Sequence, residues 1–276
     1  MHDTRPFVHI KPRNGWNLFD SVELLHYRDL LYFLTMRSIK VKYKQTVLGG
    51  LWAVIQPLFS VAIFTLVFGK LARVPSDGVP YPVFSLTAMV AWTYFANSVS
   101  SAANSIVQEA GLLTKVYFPR LFIPFAYVLA GLLDFIIAYL ISLILALCYG
   151  ITLTGTLLLM PVFVLLMALS ATGVGVFLAA MNARYRDVRY AIPFLIQLWM
   201  FASPIVYPSS IFPEHYRLAY ALNPMAGIIE GFRYSLIGGN AFPFGMIAVS
   251  AASGITLFCV GLIYFKKTER FFADIV

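Results

Sequence analysis

The chain has 276 residues, 60% hydrophobic and 12% charged, with a mean hydropathy of +0.81 and a formal net charge of +8. Soluble domains carry about twice that share of charged residues, so the composition excludes a water-soluble fold and predicts an all-α polytopic membrane protein, its helices surrounded by protein or lipid. A charge of +8 would suggest nucleic acid in a soluble chain; here the placement of the charges matters more than their sum, and no nucleic-acid partner is expected.

Residues 1–44 contain no apolar core of a secretory signal, so this basic arm is expected to stay in the mature chain. Within it, Asp20 and Glu23 resemble a capping box, and Leu24, Tyr27, Leu30, Leu31 and Leu34 fall in one arc at 100° per residue. That pattern predicts an amphipathic helix lying on the membrane surface, with an ordinary soluble amphipathic helix as the alternative. Crossing the bilayer as a helix takes about 20 apolar residues. Such lengths occur between Gln45 and Gly69, from about Pro82 to Ser105, twice between Leu121 and Ala183, from Tyr190 to Tyr207 and from Met246 to Phe265. The third and fourth spans form a hairpin that breaks at YGITLTG, residues 149–155. Residues 214–239 hold two apolar pieces too short to cross, split by Asn223-Pro224 and stopped by Gly238-Gly239, which predicts a re-entrant or interfacial helix pair. The layout is therefore a cytoplasmic arm and interface helix over 1–45, a six-span membrane domain over 46–265 and a cytoplasmic tail over 266–276.

Sixteen of the twenty Lys and Arg residues fall on one side of that layout; Lys70, Arg73, Arg217 and Arg233 fall on the other. The positive-inside rule then puts both termini in the cytoplasm and the short helix pair outside.

Several chemistries lack their motifs. There is no G-x-x-x-x-G-K-[ST] phosphate loop, no H-E-x-x-H and no G-x-S-x-G, and the four histidines lie outside the spans. No catalytic residue, metal ligand or cofactor is expected in this chain. Cys148 and Cys259 sit in apolar runs and read as small hydrophobes. The lone charge between Leu121 and Ala183 is Asp134, without an evident basic partner; it reads as a carboxyl bonded to a neighbouring helix, with an ion site as the alternative.

Polar residues gather instead in FANSVSSAANSIVQ at the end of the second span, where Asn97, Ser98, Ser101 and Asn104 call for a protein partner or a water-filled path. QEAGLLTKVYFPR then carries Leu112 and Leu113 between Glu109 and Lys115, a pattern equally suited to a docking element and a loop. RYRDVRY, residues 184–190, is a basic cluster suited to anionic headgroups or a soluble partner.

Five stretches together resemble the membrane subunit of bacterial type-2 ABC exporters of cell-surface polysaccharide, most of all the O-antigen members. They are YKQTVLGGLWAVIQP (43–57), EAGLLTKVYFPR (109–120), ARYRDVRY (183–190), PFLIQLWMFASPIVYP (193–208) and NPMAGIIEGFR (223–233). The resemblance implies a homodimer in the inner membrane, with ATP and Mg held by a separate ATPase subunit and an undecaprenyl-linked glycan as cargo. It implies ATPase contact at Glu109, Leu112, Leu113 and Lys115, and outward gate helices over 214–238. It also implies a channel walled by the first and fifth spans, for which Trp52, Gln56, Phe59, Gln197 and Phe201 are the candidate lining. In the basic arm, Arg37, Lys40, Lys42 and Lys44 are candidates to meet lipid or the pyrophosphate. The alternatives are an exporter of capsule, teichoic acid or drug, or an ion-coupled small-molecule transporter. On the predicted orientation, a green fluorescent protein fused after Val276 fluoresces and alkaline phosphatase fused there is inactive; the opposite pair of results would invert the topology.

Overall fold

The computed structural model describes residues 27–44, 51–113, 118–185, 187–238 and 242–269, in which every regular element is helical and none is a strand. Helix α1 runs Arg28–Lys44 and α2 Trp52–Phe64, continuing as a π-helical stretch Thr65–Leu71. Next come α3 (Tyr81–Gln108), the single turn α4 (Ala110–Leu113), α5 (Phe122–Cys148) and α6 (Met160–Arg184). The last four are α7 (Val188–Phe201), α8 (Glu214–Tyr220), α9 (Pro224–Ile237) and α10 (Phe244–Thr268).

Among the described residues, four stretches are long and apolar enough to cross a bilayer: Val54–Leu71, Phe122–Cys148, Gly155–Arg184 and Phe244–Thr268. Helix α3 has the length, about 42 Å at 1.5 Å per residue, but its Ser, Thr and Asn residues lower its hydropathy. Protein surrounds it instead, and 18 of its 28 residues are buried. The fifth expected span, Tyr190–Tyr207, is helical only to Phe201. Pro204 disfavours helix at Ser203, and the Asn223 amide takes the Ala202 carbonyl and the Ser203 hydroxyl at 2.9 and 3.0 Å. What remains of α7 is about 21 Å long, shorter than the hydrocarbon core.

The expected hairpin break is present. Helix α5 stops at Cys148, Gly150 takes φ +76°, and a 3-10 turn over Gly155–Leu159 leads into α6. Residues 214–237 do form two short helices, α8 and α9. The Asn223 side chain caps α9 by accepting from the Met225 N–H at 3.0 Å, Pro224 occupies its first turn, and Gly238 ends it with φ +77°. Eleven of the 14 residues of α9 are buried, enclosed by α3, α6 and α10. Arg233, counted above among the charges of an outer loop, is instead buried within this helix.

Small residues let the core helices approach. A Cβ on Gly261 would lie 2.2 Å from the Gly173 carbonyl oxygen, and one on Gly173 would lie 2.5 Å from the Phe258 backbone, so α6 and α10 touch backbone to backbone. Above that contact Phe232 of α9 meets Phe135, Phe163 and Tyr139 at 5.6, 6.0 and 6.3 Å between ring centroids.

The leucine arc of α1 is used on protein. Tyr27, Leu30, Leu31 and Leu34 pack against Phe122, Ile123 and Ala126 of α5, the exposed Tyr32 and Phe33 lie on the other side, and Leu24 lies outside the described residues. The capping pair Asp20 and Glu23 lies outside the described residues, as does Gly239.

Replacing Gly261 with Ala drives α6 and α10 apart, overpacking that costs about 1–3 kcal/mol. The Gly261→Ala protein therefore melts below the wild type in a fluorescence-detected thermal scan. Gly155→Ala, whose added Cβ meets nothing within 4 Å, leaves the midpoint in place.

Candidate functional site

The leucine arc fixes how α1 is rotated, and the rotation decides where its charges go. With Leu31 and Leu34 against α5, Arg37 and Lys42 turn into the bundle. Arg37 donates to the Glu109 carboxylate at 2.9 Å, and the Tyr127 hydroxyl donates to its other oxygen at 3.2 Å. Further along, Lys42 and Tyr43 both donate to Asp134. Contacts thus advance along both helices together, from Tyr27 beside Phe122 to Tyr43 beside Asp134, and α1 descends along α5 in the same direction. Asp134 lies 12 residues beyond Phe122, about 18 Å along the helix. A carboxylate at that depth needs a counter-charge or donors; α1 supplies both. Burial, and after it the Asp134 carboxylate, push the Tyr43 phenol above its ordinary value, so it stays a donor.

Between α1, α2, α3 and α5 lies an open cleft of about 560 Å³. Its polar wall is the α3 face carrying Thr93, Asn97, Ser101 and Gln108; α2 adds Gln56 and Pro57, and Tyr94 and Tyr127 add rings. Asn104 is used in packing: it accepts from Asn182 of α6 at 3.1 Å, and Asn182 also donates to the Ala103 carbonyl at 2.9 Å. That part of the polar run has the protein partner expected for it, while Asn97 and Ser101 face the open cleft. On the outer side of α1 a second groove of about 350 Å³ is lined by Phe33, Met36, Arg37, Lys40, Val41 and Lys44. Lys40 and Lys44 make no ion pair with a described residue.

The sequence-derived residues are divided by this geometry. Of the four basic candidates, Arg37 and Lys42 face inward with acidic partners, while Lys40 and Lys44 face outward. Of the docking candidates, Glu109 is held by Arg37 and Tyr127, Leu112 and Leu113 pack half-buried against the end of the bundle, and Lys115 lies outside the described residues. Of the lining candidates, Gln56 opens into the cleft, whereas Phe59 is 67% and Phe201 59% exposed on the outside of the chain, and Gln197 is exposed beside Phe201. The structure gathers these four around no common cavity of the single chain, and the Trp52 side chain is outside the described part.

Sequence reasoning missed the partner of Asp134, because Lys42 is 92 residues away. It also missed a buried network at the other end. Arg233 donates to Glu230 at 3.1 Å and to the Ile205 carbonyl at 3.0 Å, with its guanidinium 3.6 Å from the centre of the Phe84 ring. Glu230 also accepts from the Ser209 N–H at 3.1 Å, and Trp199 donates to Asn223 at 2.8 Å. The segment after α7 is thereby fastened to α9. The signal that was available is EGFR itself, which puts an acid and a base three residues apart within an apolar helix.

Lys42→Ala and Asp134→Ala remove the same ion pair, so the double change costs less than the sum of the two. For a pair with side chains 56% and 22% exposed, the coupling is about 0.2–1 kcal/mol. A double-mutant cycle by thermal unfolding of the purified protein measures it.

A scan against family models matches the ABC-2 type transporter membrane family over residues 29–237. The O-antigen export system permease protein RfbA of Myxococcus xanthus is 32% identical over 255 residues, 90% of this chain and 96% of that protein. A permease of the same description from Klebsiella pneumoniae is 29% identical over 90% of this chain and 95% of that protein. The polysialic acid transport protein KpsM of Escherichia coli is 21% identical over 86% of this chain and 92% of that protein. The matched stretch takes in α1, both flanks of the cleft and the buried Arg233 network, and the chain belongs to the ABC-2 family of transporter membrane subunits.

Proposed function

We propose that this chain is the transmembrane subunit of an ATP-driven exporter that moves a lipid-linked, O-antigen-like polysaccharide from cytoplasm to periplasm. The observation that carries this reading is the family match together with the 32% identity to an O-antigen permease over nearly the whole chain. The 21% identity to a polysialic acid transporter keeps capsule export as the second reading.

In this reading the chain sits in the bacterial inner membrane with six crossings and both termini in the cytoplasm, and α8–α9 form the outward re-entrant pair. A separate ATPase subunit holds ATP and Mg and docks where α3 turns into α4. Leu112, Leu113 and Lys115 meet it directly. Glu109 passes its motion to α1 through Arg37, since its carboxylate is already engaged on that side. Two copies of the chain bring the exposed faces of α2 and α7 together, so that Trp52, Gln56, Phe59, Gln197 and Phe201 line a shared path. Lys40 and Lys44 meet the anionic lipids of the inner leaflet or the pyrophosphate of an undecaprenyl carrier, beside the exposed Phe33 and Val41.

Co-expression with the ATPase subunit is expected to yield a complex with two copies of each, which moves glycan-loaded carrier across vesicles only with hydrolysable ATP. Transport by this chain alone, in vesicles without an ATPase, overturns the reading. Reversing both outer lysines, Lys40→Glu with Lys44→Glu, is expected to weaken binding of anionic lipid to the detergent-purified chain by about tenfold or more, since each basic residue near such headgroups contributes about 1 kcal/mol. Titration with a fluorescent anionic lipid measures it.

A further inference from the structure

The cleft enclosed by α1, α2, α3 and α5 contains more polar groups than the protein itself satisfies. The side-chain amides of Gln56, Asn97 and Gln108 and the hydroxyls of Thr93 and Ser101 face it and make no hydrogen bond with a described residue. At membrane depth such groups need a partner inside the protein. Each amide is donor and acceptor at once, as is each hydroxyl, so their complement is a ligand that also donates and accepts at many points.

The charges in the cleft exclude one class of ligand. Arg37 is neutralised by Glu109 and Lys42 by Asp134, so the cleft has two positive and two negative groups and no net field to draw an anion. Lys40 and Lys44, which make no ion pair with a described residue, lie on the opposite side of α1, in the groove that shares Arg37 and Val41 with the cleft. A phosphate therefore belongs outside α1 and a neutral, hydroxyl-rich group inside it. The partly exposed ring of Tyr127 on the wall suits the C–H face of a sugar. At the base of the cleft Gly131 lets α5 close tightly on α3, since a Cβ there would come within 2.7 Å of the Ser98 hydroxyl oxygen. A volume of about 560 Å³ lies in the range of about 300–1,000 Å³ that holds small ligands, which fits the linkage end of a glycan rather than a whole polymer.

We infer that this cleft is a binding site for uncharged carbohydrate, the first sugars of a lipid-linked glycan, with the adjoining phosphate held across α1 by Lys40 and Lys44. The site rests on the exporter reading above and adds to it a place where the linkage sugars are recognised before transport. Binding needs no covalent step. It exchanges the water on Asn97, Ser101 and Gln108 for sugar hydroxyls, and it leaves both ion pairs intact.

The test uses the complex with its ATPase subunit in lipid nanodiscs. The probes are a short polyprenyl pyrophosphate, bare, carrying a neutral disaccharide, or carrying an acidic one. The neutral disaccharide is expected to tighten binding to the wild type by about tenfold over the bare carrier, and the acidic one to tighten it no further. Asn97→Leu and Ser101→Leu, which fill the cleft with apolar bulk, erase that gain and leave affinity for the bare carrier unchanged. Gln108→Leu, at the rim of the cleft, is a gentler third variant that reads the same loss if the first two disturb folding. Equal affinity of the wild type for bare and neutral carriers overturns the inference, as does a gain that survives all three substitutions or a larger gain from the acidic sugar. If the wild type binds the bare carrier but sugars add nothing, the cleft proposal alone falls. If it binds none of the probes, the lipid-linked substrate falls with it.

Discussion

An ionised carboxylate inside an apolar helix cannot be left alone, and Asp134 is the one acid in the long run from Leu121 to Ala183. Water is scarce at that depth and the cost of an unpaired charge is high. Satisfying it requires donors from elsewhere, and the chain brings Lys42 and Tyr43 from its N-terminal helix. Much of the architecture at that end follows. Helix α1 runs along α5, its leucine arc packs on Phe122 and Ile123, and it encloses a cleft against α3. The same rotation sends Arg37 to Glu109, just past the last turn of α3. Phe33, Lys40 and Lys44 line the groove on its outer side.

The opposite end is organised by a second internal charge. Arg233 is buried in a helix too short to span, and it is held by Glu230, by the Ile205 carbonyl and by the face of Phe84. Those contacts lie on three different segments, so one guanidinium sets α9 against α3 and fixes the chain that leaves α7. Asn223 does the same work with an amide, capping α9 while it holds Trp199 and the Ala202 carbonyl. Buried pairs of this kind are weak evidence for stability and better evidence for a unique arrangement. Here each ties an element that could not hold its position by apolar packing alone.

Helix α3 links the two ends. Its first turns contact the Arg233 network through Phe84 and Tyr81, whose hydroxyl donates to the Val206 carbonyl at 2.8 Å, and its last turn carries Glu109's connection to α1. Surrounded by α5, α6 and α9, it is the least apolar of the long helices and the one most enclosed by protein. In a lipid-facing helix its Ser and Asn residues would be a liability; enclosed, Ala103 and Asn104 meet Asn182 while Asn97 and Ser101 line the cleft.

The sequence by itself determined the helical membrane class, the hairpin break at residues 149–155, the start of α9 at Pro224 and its stop at Gly238, and the family. These are properties of contiguous residues: apolar length is set by the bilayer, and capping is settled within one turn. It also carried Glu109, Lys42 and Asn97 as polar residues in notable places, without saying which way they face. Tertiary structure decided that Asp134 belongs to Lys42, that Glu109 turns toward α1, that α7 ends at Phe201 and that Arg233 is interior. Each of those outcomes depends on the rotation of one helix against another and on pairings across 28 to 92 residues. Hydropathy and spacing register how much of a helix is apolar, but a charge finds its partner only when the packed bundle has fixed the distance between them.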